Sequence, residues 1–153
     1  MAVLTNLVLC RHRQKGAGIF RIRKYKVGDE KGMIECIRSE YEDTYFRRPF
    51  YSAKYIRDEA EKGHMNFFII QTMLGKIAGM AVLKESAQEE GMGEIASLII
   101  KKEYRGYGLA EQMFTYEIKH AEKEDYGAVL SLAVLYHDMT QRLLCNRLFV
   151  KCF

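Results

Sequence analysis

Three short apolar runs in quick succession constrain this chain most. Phe67-Phe68-Ile69-Ile70-Gln71-Thr72-Met73 and Ile77-Ala78-Gly79-Met80-Ala81-Val82-Leu83 are separated only by Leu74-Gly75-Lys76, and Glu94-Ile95-Ala96-Ser97-Leu98-Ile99-Ile100 follows a polar loop from Lys84 to Gly93. Runs of this length, rich in β-branched residues and bounded by glycine, read as strands. The first two predict a hairpin, and a sheet must form at the centre of the chain.

On either side of this block the apolar period changes. Phe20 to Val27 alternates apolar and basic residues with period two, which predicts a strand with one wet face, ended by Gly28-Asp29. Asp29 stands as an N-cap for a helix over 30–41, whose stripe is Met33, Ile34, Ile37 and Tyr41. A second helix is expected from about Ser52 to Lys62. After the third central strand, Ala110, Met113, Phe114, Ile118 and Ala121 keep a helical stripe, predicting a helix that ends near Lys123 before Tyr126-Gly127. Ala128 to Tyr136 reads as a strand and Met139 to Leu148 as a helix. The order β-α-α-β-β-β-α-β-α is that of a mixed α/β sheet domain.

Composition narrows the class. In 153 residues, 48% are hydrophobic and 29% charged, the balance of a single folded domain, here residues 19–153, with no internal linker around the one proline, Pro49. The 24 Lys and Arg exceed the 20 Asp and Glu by 4, short of the footprint of a dedicated nucleic-acid binder. A contact with RNA through Arg11, Arg13, Arg21, Arg23 and Lys24 is the least favoured reading, and it requires a steep salt dependence. Cys10, Cys36, Cys145 and Cys152 form no C-x-x-C pair and no metal-like spacing with His12, His64, His120 or His137, so reduced thiols in a cytoplasmic protein, with no metal, are expected. The apolar run Ala2 to Cys10 is about half the length of a membrane span and precedes its basic residues, unlike a secretory signal. Residues 1–18 read as an irregular extension, an extra edge strand, or sequence added to the natural chain. Met33, Met73, Met80 and Met113 read as core.

The stretch that carries chemistry is Leu98-Ile99-Ile100-Lys101-Lys102-Glu103-Tyr104-Arg105-Gly106-Tyr107-Gly108-Leu109-Ala110: a strand, a glycine-containing turn and a helix start. A helix N-terminus offers N–H groups without partners and about half a positive charge, and glycines let a backbone approach an anion closely. Lys101, Lys102 and Arg105 add charge at the same end. From the glycines alone, a plain tight turn with solvated basic residues explains the stretch equally well. The phosphate-loop pattern is absent, and the dinucleotide fingerprint would need glycine at Glu111.

This stretch resembles the coenzyme A signature of the GNAT acetyltransferase superfamily, [RQ]-x-x-G-x-[GA], here Arg105-Gly106-Tyr107-Gly108-Leu109-Ala110, with the preceding strand, the following helix and the element order from Phe20 to Phe149 in the family's arrangement. The resemblance implies an acetyl-CoA-dependent N-acetyltransferase. It implies that pantetheine lies in a gap between the strand ending at Ile100 and the strand from Ala128 to Tyr136, pairing with backbone along Leu98-Ile99-Ile100, and that N–H groups from Arg105 to Ala110 hold the pyrophosphate. His137 and Gln141 stand near the position of an asparagine that reaches pantetheine in many members.

The same resemblance implies direct attack of an amine on the thioester in a ternary complex. Glu94 stands where some members carry a glutamate base; burial beside a hydrophobic strand would tune it, while exposure after the Gly91 to Gly93 turn would remove that role. The helix tyrosine with which many members protonate the thiolate is replaced by Leu144, before Leu148 and Phe149, leaving Tyr136 or solvent as the acid. The family's closing hairpin is expected to be missing after Phe153, leaving a sheet edge suited to pairing two copies as a homodimer.

Tyr41, Tyr45, Phe46, Phe50 and Tyr51, together with Arg47 and Arg48, occupy the place where many members line the acceptor site; half or more of the rings read as ordinary packing, and the two arginines as solvated. An amine or a carboxylate-bearing small molecule suits such a region, and a small-molecule or peptide amine is the expected acceptor. A non-catalytic acyl-CoA-binding domain is the alternative, consistent with the missing tyrosine and hairpin.

Overall fold

The computed structural model describes residues 7–12, 16–87 and 90–131. In chain order these build β1 (Leu7–His12), β2 (Gly16–Lys24), α1 (Glu30–Tyr41), a 3-10 turn (Arg48–Tyr51), α2 (Ala53–Glu61), β3 (Met65–Thr72), β4 (Ile77–Glu85), β5 (Met92–Ile100), a 3-10 turn (Lys102–Tyr104), α3 (Leu109–Lys123) and β6 (Ala128–Ser131). The strands form one mixed, mostly antiparallel sheet in the order β1-β2-β3-β4-β5-β6. Among the described residues, only the β5–β6 pair is parallel.

Two alternating sets of side chains make the two faces. Phe67, Ile69, Ile77, Met80, Val82 and Ile99 pack with Met33, Cys36 and Ile37 of α1, Phe50 of the 3-10 turn and Ile56 of α2. Phe68, Ile70, Ala81, Leu83, Ile95 and Ile100 face the other way, onto Leu109, Met113, Phe114 and Ala121 of α3. Full burial of each such large apolar side chain contributes about 1.5–3 kcal/mol before the entropy of ordering is charged against it. The hairpin β3–β4 turns through Gly75, whose φ of +84° a side chain would strain.

The observed elements correct several expectations. The first predicted strand starts earlier, at Gly16, and stops at Lys24; Leu7–His12 lies against it as an antiparallel edge strand, Leu7 opposite Arg21 and His12 opposite Gly16. Asp29 occupies the N-cap position without capping. Its carboxylate is taken instead by both ends of the Arg23 guanidinium, at 2.6 and 2.8 Å, and by the Lys26 N–H at 2.8 Å, which ties the start of α1 to β2. The first turn is held by Glu30, which accepts from the Tyr25 hydroxyl at 2.5 Å, the Gly28 N–H at 2.8 Å and Arg57 Nε at 3.0 Å. Met33, Met80 and Met113 are core, whereas Met73, at the hairpin tip, is exposed.

One irregularity positions the site. Val82 pairs with Ser97 but Leu83 pairs with Ile95, so Ala96 is an extra residue in β5. A bulge of this kind re-aims the side chains beyond it. Here it leaves Glu94 and Ser97, which strict alternation would send to opposite faces, both on the α1–α2 side: Ser97 meets Tyr45, and Glu94 meets Arg47.

Candidate active site

The end of β5 and the start of α3 are joined by a turn built from its own backbone. The Lys101 N–H donates to the Ala78 carbonyl at 2.9 Å, Tyr104 N–H to the Lys101 carbonyl at 2.9 Å, and Arg105 N–H to the Lys102 carbonyl at 3.3 Å. Backbone groups alternate sides along a strand, so with Lys101 N–H on the β4 side those of Leu98 and Ile100 face away from β4. On that side β6 pairs with β5 from Met92 opposite Ala128 to Ile95 opposite Ser131.

Gly106 and Gly108 both have positive φ, +86° and +72°, so the turn requires the conformational freedom of glycine at two positions rather than tolerating it. Gly108 is the N-cap of α3, and a Cβ built there would meet nothing within 4 Å. The helix starts immediately: Leu109 is buried, and the Gln112 N–H already donates to the Gly108 carbonyl at 3.2 Å. The N–H groups of Leu109 and Ala110 therefore stand in the first turn without an intrahelical acceptor, next to a glycine whose Cβ position is open. An anion is what this arrangement can bind.

Side chains fasten the turn on two sides. Tyr107 and Tyr104 lie against Phe20 of β2, with ring centroids 5.3 and 6.1 Å away. Arg105 donates from Nε to the Ile100 carbonyl at 3.0 Å and pairs at its outer end with Glu40 of α1. Part of the positive charge expected of Arg105 is thus already matched. A cleft of about 560 Å³ on the α1 side of this connection is lined by Lys31, Gly32, Glu35, Lys76, Lys101 and Tyr104 among others; neither the glycine turn nor Glu94 contributes to it.

Glu94 is buried, at 9% exposure, which removes the exposed reading. Its surroundings are not the apolar ones expected: Oε2 lies 2.8 Å from Lys84 Nζ and Oε1 lies 3.4 Å from an Arg47 terminal nitrogen. Arg47, read from sequence as solvated, is three-quarters covered, with its guanidinium carbon 5.0 Å from the centroid of the Phe46 ring; Arg48 is exposed. Next along the same face, the Tyr45 hydroxyl and Ser97 Oγ share a buried hydrogen bond of 2.6 Å, which ties the α1–α2 connection to β5. Burial pushes the Tyr45 hydroxyl pKa up, and the Ser97 bond offsets part of that. Tyr45 and Phe50 are buried as packing, while Phe46 is largely exposed.

Sequence reasoning missed Lys84, and it named Arg47 only alongside Arg48 within the acceptor segment. Lys84 had no signal, because it comes opposite Glu94 only through the bulge at Ala96. Arg47 had none, since nothing local separates it from Arg48. Tyr136, His137 and Gln141 lie outside the described residues. Among those described, no group of three or more His, Cys, Asp or Glu is placed to hold a metal ion, and no helix is long and apolar enough to cross a membrane.

Comparisons with known proteins agree with this architecture. The chain superimposes on an acetyltransferase from Trypanosoma brucei with a TM-score of 0.70 at 15% identity, over 88% of this chain and 94% of that one. An N-acetyltransferase from Staphylococcus aureus Mu50 gives 0.73 at 16% identity, over 84% and 81%. The PaiA N-acetyltransferase from Thermoplasma acidophilum, solved in complex with coenzyme A, gives 0.67 at 16% identity, over 84% and 87%. At such identities the likeness is one of fold. No curated protein matches the sequence. The family model described as acetyltransferase (GNAT) matches residues 32–148, which takes in α1 from Gly32 onward, the central strands and the whole Arg105 to Ala110 turn. The chain belongs to the GNAT acetyltransferase family.

Proposed function

We propose that this chain transfers an acetyl group from acetyl-CoA to a primary amine by direct attack in a ternary complex. The observation that carries the reading is the turn at Gly106 and Gly108, where two positive-φ glycines lead into the first turn of α3 and the Cβ position of Gly108 is open. Residues Arg105 to Ala110 fit a diphosphate, and the Leu98 and Ile100 backbone edge fits the amide-bearing pantetheine arm, which adds to a strand as another strand would. Acetyl-CoA, when bound, supplies an activated thioester.

The protein's task is then positioning and proton movement. Glu94 takes a proton from the acceptor's ammonium group, leaving a neutral nitrogen to form the new C–N bond as the C–S bond breaks. The departing thiolate takes a proton from Tyr136 or from solvent. Lys84, at 2.8 Å, fixes the Glu94 carboxylate in one orientation.

One observation favours a second reading, an acyl-CoA-binding domain without catalysis: both Glu94 oxygens already lie against cations. Melting in saturating acetyl-CoA, coenzyme A or ATP tests the shared part. A ligand at a hundredfold over its dissociation constant stabilises by about 2.7 kcal/mol, a shift of several degrees for a domain of this size. Both coenzyme forms should raise the midpoint and ATP should not; no shift with either coenzyme form overturns both readings. Turnover with a panel of amines separates them, and Glu94→Gln should lower kcat at least tenfold while leaving the coenzyme shift intact. An unchanged kcat removes Glu94 as the base.

A further inference from the structure

The groups around Glu94 say more about the acceptor than that it is an amine. One carboxylate faces two cations, so the cluster of Glu94, Lys84 and Arg47 carries a net charge of +1 where an ammonium group would have to approach. A bare amine, and still more a polyamine, meets repulsion there. The two cations are not equally committed. Lys84 sits at 2.8 Å, a full charge-assisted contact, whereas Arg47 reaches Glu94 at 3.4 Å, beyond the usual length of such a bond. Arg47 Nε is buried and has no hydrogen-bond partner among the described residues. A guanidinium carries five donors in a planar fork, and this one has a free donor beside a loosely made contact.

Arg47 is also held in place. Its carbonyl accepts the Phe50 N–H at 3.0 Å as the 3-10 turn begins, and its guanidinium stacks over Phe46. The group with an unpartnered, fixed donor next to the candidate base is therefore an arginine suited to a planar anion.

We propose that the acceptor carries its own carboxylate close to the reacting amine, an amino-acid-like zwitterion, and that Arg47 exchanges its long contact with Glu94 for a two-pronged pairing with that carboxylate. The exchange frees Glu94 Oε1 to take the ammonium proton and cancels the excess positive charge. The assignment rests on Glu94 being the acceptor-side base.

The test compares L-phenylalanine, L-leucine and L-lysine, each against its own carboxamide, with acetyl-CoA saturating and rates expressed per concentration of neutral amine. For the unmodified protein kcat/KM should favour the free acid at least tenfold, and Arg47→Gln should bring the two within about twofold while keeping the acetyl-CoA melting shift. Arg47→Lys, which keeps the charge and loses the fork, should fall between them. Equal use of acid and amide, or a preference that survives Arg47→Gln, overturns the proposal while leaving acetyl transfer standing. Calorimetric titration of the same compounds into the coenzyme A complex separates the opposite failure: amino acids that bind the unmodified protein but not Arg47→Gln, without turnover, support the carboxylate site and sink the transfer reading. If no acid binds or is turned over, the proposal falls.

Discussion

Arg105 reaches back to the strand it follows: its Nε donates to the Ile100 carbonyl at 3.0 Å while its outer nitrogen pairs with Glu40 on α1. One side chain thus spans β5, the glycine turn and a helix on the far side of the sheet. With 43% of the side chain exposed, the ion pair itself adds little to global stability. What it fixes is the path of the turn. Arg105→Gln should leave the melting midpoint within a few degrees and weaken coenzyme A binding about tenfold by calorimetry, near 1.4 kcal/mol, the scale of a lost hydrogen bond from a charged group. Glu40→Gln should move the affinity the same way by less. Unchanged affinity in Arg105→Gln would remove the clamp from the binding argument.

Gly108 separates conformational cost from space. At φ +72° an alanine is strained by about 1–2 kcal/mol, yet its Cβ would touch nothing within 4 Å. Gly108→Ala should therefore fold with that modest loss, and Gly108→Val should cost more because of its branched Cβ. Both add a group in the open space an anion must enter, so coenzyme A affinity should fall at least tenfold for alanine and below detection for valine. Affinity that tracks only the loss of stability would mean that the space over Gly108 is not used.

Most of the fold was legible because residue type and period agreed. The stripe of Met33 and Ile37 behind Gly28-Asp29 marked α1 at the observed bounds, and the hairpin at Gly75 announced itself through the apolar runs on either side. Legibility failed where geometry is not local. The bulge at Ala96 has no composition signal, yet it decides that Glu94 and Ser97 share a face. Arg47 and Arg48 are neighbours of the same type, and only the course of the 3-10 turn sends one inward. Glu117 lies four residues after Met113, where the helical period calls for a core residue, but a carboxylate there contradicts the pattern and the apolar stripe runs through Ile118 instead.

Glu30 links acid stability to the β2–α1 junction. Burial pushes its pKa up, but hydrogen bonds from Tyr25, its own N–H, Arg57 and the Gly28 N–H outweigh burial and hold it at about 2, below the ordinary 4.5. Burial and the same partnership push Tyr25 up to about 12. A folded-state value below the unfolded one means that the stabilisation is complete above about pH 4.5 and is lost as pH falls toward 2, in total about 3 kcal/mol. Denaturant melts of the unmodified protein between pH 5 and 2 should show that loss, and Glu30→Gln should be less stable at pH 7 with a flatter acid branch. An equally steep branch in the variant would place the acid sensitivity elsewhere.

Glu117 has the opposite sign. It is fully buried on the sheet side of α3, neither carboxyl oxygen has a hydrogen-bond partner among the described residues, and burial raises its pKa well above the ordinary carboxylate value. Its neighbour one turn on, His120, is pushed down by burial and by Lys24, and so offers no ready cation at neutral pH. A carboxyl whose folded-state pKa lies above its unfolded one binds its proton more tightly in the folded chain. Its contribution is therefore most favourable below the unfolded value of 4.5 and declines as pH rises from there toward the folded value. Methionine has nearly the same length and no polar atom to bury. Glu117→Met should raise the melting midpoint at pH 7 by several degrees, with a smaller gain at pH 5, because the penalty it removes grows with pH over that range. Equal gains at the two pH values would mean that packing alone changed, and a lower midpoint at both would show that the carboxyl is satisfied in the folded chain.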